Sequence, residues 1–279
     1  MPETPLDNLS VSIVCKDNAA TIGRTLESVR GVVGGAGEIV AVDSGSTDGT
    51  IGMLEAAGAR VVKSAWMGHV KTKQFAMEQC TREWVLCIDS DESLEPEVVA
   101  SIRGAIGGSG DAQRTRHGVS GYPADGFEVN RRIYYRGRSL KHVWQPEWRV
   151  RLVRRGAAAW GGFDPHDSLR MLPGKRTARL AGVMRHDSFA TFAEHMRKQW
   201  DHSTTMARSL HEAGVRGSYV RLVCSPMGAM VKQLVLKLGV LDGYAGWLAA
   251  ASTAVGALVK HAALIELSRD VESHEKEVR

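Results

Sequence analysis

Within residues 11–89, short β-branched runs alternate with segments of helical period; two of those runs stop at an acid and a third lies two residues ahead of one. "VSIVC" (11–15) leads into "KDNAATIGRTLESVRGV", where Ile22, Leu26 and Val29 recur at helical spacing. "EIVAVD" (38–43) runs into the turn-rich "SGSTDGT". A helix through "IGMLEAAG", a strand "ARVVKS", a helix "VKTKQFAMEQCT" and a strand "EWVLCID" complete the series. Strands joined by helices of about ten residues require right-handed crossovers and a parallel sheet. Such sheets bind ligands at the carboxyl ends of their strands. Asp17, Asp43 and Asp89 all fall at or just beyond such ends, which predicts one acidic site.

"CIDSDESL" (87–94) carries the sharpest chemistry. Asp89 and Asp91 are two residues apart, so in extended chain both project to the same side. Paired carboxylate oxygens suit a hard cation, Mg²⁺ or Mn²⁺, that keeps positions open for water and a diphosphate. The competing reading is an acidic N-cap for a helix in "SDESLEPEVV". Asp43 is placed to accept hydrogen bonds from a base or ribose hydroxyl; its competitor is an Asx-turn, with Ser46 or Asp48 starting the next helix. No GxxxxGK[ST] occurs and no GxGxxG follows the first strand, which argues against the usual NTPase and dinucleotide-dehydrogenase classes.

Further along, 104–126 is Gly-rich and polar and reads as a loop. Strand-like pieces resume at "GFEVNRRIYY" and "WRVRLVRR"; "DPHDSL" (164–169) reads as a loop, "ARLAGVMRH" as a last strand, and the pattern is helical from Phe189 onward. Two regions are expected: 1–187, an α/β domain around the acidic site, and 188–279, a helical region that suits a membrane surface or other anionic partner. The stretch 240–259 has one charge, Asp242, and is long enough to cross a bilayer. Its Gly, Ser and Thr favour instead a packed helix or one lying in the membrane interface.

Charge is divided along the chain. Residues 1–100 hold 8 Lys/Arg against 15 Asp/Glu, whereas 170–239 hold 12 against 4. The basic half suits an anionic partner. Cys15 and Cys87 lie inside apolar strands, which predicts buried free thiols in a reducing cytoplasm. "MPETPLDNLS" has no basic or apolar leader region, so no secretory signal is expected.

Taken together, "SIVCKDNAATIGRTLESV", "IVAVDSGSTDGT", "KTKQFAMEQCTREWVLCIDSDE", "RLVRRG" and "LDGYAGWLAAASTAVGALVKHAALIEL" resemble the family 2 glycosyltransferases, within them the lipopolysaccharide-core subgroup of WaaE-type enzymes. The resemblance implies a GT-A fold: α/β, a mostly parallel sheet flanked by helices, here with a C-terminal helical extension. It implies a metal-dependent, inverting transfer of a hexose from a nucleotide-sugar, UDP-linked, to a lipid-linked or core saccharide. Asp17, Asn18 and Asp43 would then meet the uridine side, Asp89 the ribose or metal, and Asp91 the metal, with His186 completing its shell. Lys73 would reach a phosphate. Asp167 would be the catalytic base, with His166 orienting it or binding acceptor. The chain departs from the family pattern at Gln74 (usually Asn), Ser90 (usually Ala) and Asp167 (usually Glu). The implied setting is the cytoplasmic face of the inner membrane, in peripheral contact with anionic lipid and with no nucleic acid as partner. The alternatives are a nucleotidyltransferase, which would need a Gly-rich basic loop where "CKDNAAT" stands, and a non-catalytic nucleotide-sugar or membrane-surface binder.

Overall fold

The computed structural model describes residues 6–107, 124–163 and 166–277, so residues 108–123 of the expected loop lie outside the described residues. The chain divides into two compact units, Met1–Arg132 with Glu147–Asp187, and Ile133–Pro146 with Ser188–Arg279.

In the first unit β1 (Leu9–Cys15), α1 (Ala19–Arg30), β2 (Glu38–Asp43), α2 (Thr50–Ala56), β3 (Arg60–Lys63), α3 (His69–Glu78) and β4 (Trp84–Asp89) alternate as expected. β1 pairs parallel with both β2 and β4, and β2 parallel with β3. The strands read as unbroken apolar runs because both faces are covered. On β4, Trp84, Leu86 and Ile88 join one core with Ile22 and Leu26 of α1. Val85 and Cys87, pointing the other way, join a second core with Met77 of α3. A side chain as completely enclosed as Leu86 contributes about 1.5–3 kcal/mol.

Past Asp89 come β5 (Glu92–Leu94), α4 (Pro96–Ile106), β6 (Gly126–Tyr135), β7 (Arg138–Ser139), β8 (Trp148–Arg154), β9 (Ala158–Phe163), β10 (His166–Met171) and β11 (Thr177–His186). The sheet order is β3-β2-β1-β4-β8-β6-β11-β5, with antiparallel pairing of β8 to β4, β6 to β8 and β5 to β11. The parallel α/β half thus continues into an antiparallel half.

Two local expectations change. Within 164–169, residues from His166 onward form a strand, not a loop; Asp167 pairs with Gly162 in the β9–β10 hairpin, and Leu169 is held in the second core. Helix α4 starts at Pro96 with no side-chain cap, so Asp89 and Asp91 do not cap it; Asp89 ends β4 and Asp91 lies in the turn into β5.

The second unit holds α5 (Phe192–Glu212), α6 (Tyr219–Val231) and α7 (Gly243–Glu277), with a π-helical segment at Lys232–Leu236 and a 3₁₀ turn at Gly239–Asp242. α5 begins with a reciprocal cap: Thr191 Oγ1 accepts from Glu194 N at 3.1 Å and Glu194 Oε2 accepts from Ala190 N at 2.9 Å. α7 packs on α5 and α6. A side chain at Gly256 of α7 would collide with Gln199 of α5, so glycine permits that approach. Asp242 accepts from the amides of Lys141 (3.0 Å), His142 (2.9 Å) and Val143 (2.9 Å). The single acid of the 240–259 stretch is thereby committed to residues 133–146, which belong to this helical unit and not to the region ahead of residue 187 where sequence order places them.

Candidate active site

The loops after β1 and β2 are zipped together by short polar side chains. Thr47 N donates to Asp17 Oδ1 at 2.8 Å, Asp17 N to Ser46 Oγ at 2.9 Å, Asn18 N to Thr50 Oγ1 at 2.8 Å and Ala19 N to Asp48 Oδ2 at 2.9 Å. Asp17 adopts a left-handed conformation, φ 52°, and is exposed. Asn18 is half-buried and its Oδ1 accepts from Lys16 N at 2.9 Å. Asp43 is buried and accepts from Gly45 N at 2.9 Å, Ser46 N at 3.0 Å and the Ser46 hydroxyl. Burial alone would raise its carboxyl; the bonds from Ser46 and Gly45 outweigh this and lower it. Asp43 therefore closes an Asx-turn that shapes the β2 loop.

The second cluster is a chain of alternating charges. Lys73, on α3, lies 2.7 Å from Asp89 Oδ1 and 2.9 Å from Asp167 Oδ2. Arg151 Nη2, from β8, lies 3.3 Å from Asp89 Oδ2 and 2.6 Å from Glu92 Oε1. Glu92 also meets Arg131 Nη1 at 3.3 Å, and Arg131 Nη2 reaches Glu147 Oε1 at 2.6 Å. The Asp89 amide donates to Glu92 Oε2 at 2.9 Å, so Glu92 holds both the backbone and, through Arg151, the side chain of Asp89. The Glu92 side chain is 0% exposed and that of Arg151 5%, a depth tolerable only for paired charges. Burial opposes ionisation of Asp89, but Lys73 and Arg151 outweigh it and hold its carboxyl well below the usual carboxylate range. Burial likewise pulls Lys73 down, and the Asp89 charge more than restores it. The Trp160 ring of β9 lies 4.9 Å from the Lys73 ammonium, a cation–π contact that walls the pair. Gln74 Oε1 accepts from Trp160 N at 2.9 Å, which ties that hairpin to α3.

The model of Glycosyl transferase family 2 matches residues 10–151, just over half of the chain. The chain is a family 2 glycosyltransferase. The lipopolysaccharide core biosynthesis glycosyltransferase LpsC of Rhizobium meliloti is 30% identical over 81% of this chain and 79% of that protein. An uncharacterised glycosyltransferase of Rickettsia prowazekii is 26% identical over 94% and 88%. The fold is similar to that of the mannosyltransferase PcManGT from Pyrobaculum calidifontis, solved with GDP-Man and Mn²⁺, at TM-score 0.53 and 13% identity over 91% of this chain and 87% of that one. Family membership sets the nucleotidyltransferase and non-catalytic readings aside.

In this glycosyltransferase the pairing of β5 with β11 sets His186 opposite Glu92. It brings His186 Nε2 to 3.4 Å from Asp91 Oδ2. Neighbouring ligands at 2.0–2.1 Å in an octahedral Mg²⁺ shell are roughly 3 Å apart, so the pair fits two adjacent positions. His186 Nδ1 is buried with no hydrogen-bond partner among the described residues, and Nε2, the nitrogen that faces Asp91, is the one that would ligate a cation. No group of three or more His, Cys, Asp or Glu poised for metal occurs among the described residues, and both Asp89 oxygens are engaged by Lys73 and Arg151. Two protein ligands still suffice for a Mg²⁺-type ion that draws the rest of its shell from phosphate and water.

His166 begins β10, but its side chain and Asp164 lie outside the described residues. Glu92, Arg151, Arg131 and Glu147 had no role in the sequence reading. The signal was present in part: Glu92 stands inside "CIDSDESL" and Arg151 opens "RLVRRG".

Proposed function

We propose that this glycosyltransferase moves a hexose, with inversion, from a UDP-linked donor to a lipid-linked or lipopolysaccharide-core saccharide. The observation that carries the reading is the Lys73 ammonium, which bridges Asp89 and Asp167 and so sets the candidate base beside the motif acid. The 30% identity to LpsC supports the acceptor class. Asp17, Asn18 and Asp43 shape the uridine side, and Asp89 takes the ribose. Asp91 and His186 would hold Mg²⁺ or Mn²⁺, which when bound supplies Lewis-acid neutralisation to the departing diphosphate. Lys73, paired to both carboxylates, fixes the separation of Asp89 and Asp167. As the acceptor oxygen bonds to the anomeric carbon, the bond from that carbon to the donor phosphate breaks and its electron pair leaves with UDP. The hydroxyl proton passes to Asp167, whose Oδ2 is held by Lys73. His166 would orient the base or bind acceptor. Residues 1–132 and 147–187 supply this chemistry, and 133–146 with 188–279 face acceptor or membrane surface. The cationic bias of 170–239 supports a peripheral place on the cytoplasmic face of the inner membrane.

The test is a thermal-shift screen of nucleotide-sugars with Mn²⁺ or Mg²⁺, followed by assay of UDP release. A donor at about 100 times its Kd stabilises the fold by about 2.7 kcal/mol. A rise with GDP-sugars and none with UDP-sugars overturns the donor assignment; no rise with any nucleotide-sugar overturns the site.

A further inference from the structure

None of the 13 residues of α6 is buried. Val220, Val223, Met227 and Val231 recur at helical spacing, and each is more than half exposed. α7 presents a second outward stripe through Tyr244, Trp247, Val255 and Leu258. The two helices run as a hairpin: Gly217 N donates to Ser268 Oγ at 2.9 Å at the open end, and the segment 232–242 joins the other. That joining segment exposes Leu236 by 74% and Leu241 by 66%. Soluble proteins seldom leave so continuous an apolar surface in water.

Charge says what covers it. Between residues 213 and 265 the only acid is Asp242, whose side chain is 4% exposed and tied to three backbone amides. The exposed charges there, Arg216, Arg221 and Lys232, are all cationic. A second copy of this face would set those cations against one another with no exposed acid to answer them. An anionic lipid surface answers them directly and accepts the apolar stripes among its acyl chains. Tyr219, Tyr244 and Trp247, all exposed, suit the headgroup level.

The inner face of α7 argues against a span. Ser252 Oγ lies 2.8 Å from His195 Nε2, and Thr253 Oγ1 accepts from Trp144 Nε1 at 3.0 Å. The helix behind, α5, exposes Arg197, Lys198 and Asp201. The Gly239–Arg269 stretch is long and apolar enough to cross a membrane, but with that companion it cannot be ringed by lipid. We propose that the α6–α7 hairpin lies in one leaflet of an anionic membrane, apolar stripes among the acyl chains and Arg216, Arg221 and Lys232 at the phosphates. This deepens the membrane-surface part of the reading above and is independent of the transfer chemistry.

The experiment uses the full chain and vesicles of phosphatidylglycerol with phosphatidylethanolamine, against phosphatidylcholine vesicles. Wild type is expected to sediment with the anionic vesicles, and brominated lipid is expected to quench its fluorescence through Trp247, quenching that Trp247→Phe removes. Leu236→Asp with Leu241→Asp should weaken sedimentation at least about tenfold while leaving the melting temperature and vesicle-free UDP release unchanged. Equal sedimentation of wild type and the double variant keeps the membrane reading and overturns the hairpin. No sedimentation of wild type overturns both, as does a solution dimer that the double variant splits. Loss of UDP release with sedimentation intact counts against the transfer reading alone. The comparison of wild type with Trp247→Phe decides the matter even where the double variant fails to fold, because quenching that persists without Trp247 overturns the hairpin.

Discussion

The ammonium of Lys73 is 2.9 Å from the carboxylate of Asp167, although 94 residues separate the two in the chain. The same nitrogen holds Asp89 at 2.7 Å, so one cation keeps two carboxylates together. Lys73→Met removes it and leaves those acids facing each other with the Lys73 side chain's 10% exposed site apolar. Breaking a buried pair in this way costs about 3–5 kcal/mol. Urea unfolding should show that loss. A double-mutant cycle with Asp167→Asn should return a coupling of about 0.5–3 kcal/mol.

Asp167→Asn keeps the β10 ladder and shape while removing the proton acceptor. Turnover should fall about 10²–10⁴-fold with donor affinity nearly unchanged. Near-normal turnover moves the role elsewhere, with His166 next in line.

Asp91→Asn and His186→Gln each remove one of the two candidate metal ligands, 3.4 Å apart. Each should keep the fold and weaken the Mn²⁺-dependence of UDP binding at least about tenfold, because a Mg²⁺-type site has so few protein ligands to lose. Titration calorimetry of UDP with and without Mn²⁺ reads the effect, and an unaltered metal dependence in both variants removes the assignment.

Glu92→Gln tests the support beneath the motif. Arg151 and Arg131 would share a neutral amide in place of a fully enclosed carboxylate. Stability should drop by about 3–5 kcal/mol, and UDP release should fall with it because Asp89 loses its backbone and Arg151 constraints. A variant as stable as wild type contradicts the hub role.

Burial lowers the His195 imidazole from 6.5 to about 4, with Lys198 and His202 adding to the effect. The folded chain therefore leaves this ring neutral between those values while the unfolded chain protonates it. Stability is complete above about 6.5 and falls as pH drops toward 4. Melting curves across that window should show the decline, and His195→Gln should flatten it.

The parallel half of the sheet was legible because strands such as "EIVAVD" are apolar on both faces and are cut off cleanly by turn residues. β9 and β10 were not: "AAWGGF" has no β-branched residue, and "HDSLRM" begins with polar residues that resemble a turn. Glu92 was visible but mute, since its meaning depends on Arg131 and Arg151, 39 and 59 residues away. Asp91 and His186 were nameable as candidates. Their meeting depends on β5 pairing with β11, which no local pattern announces.

The ties from Asp242 to residues 141–143 bear on how such an enzyme can be recombined. The chain passes between the two units at 132/133, 146/147 and 187/188. A chimera built by replacing everything after residue 187 would strand Leu140 and Val143, which share a cluster with Ala249, and would leave three amides without their acceptor. A graft that respects the fold must carry 133–146 along with the C-terminal helices. Inheritance of a new helical unit is therefore a two-piece exchange, and both pieces have to come from the same parent.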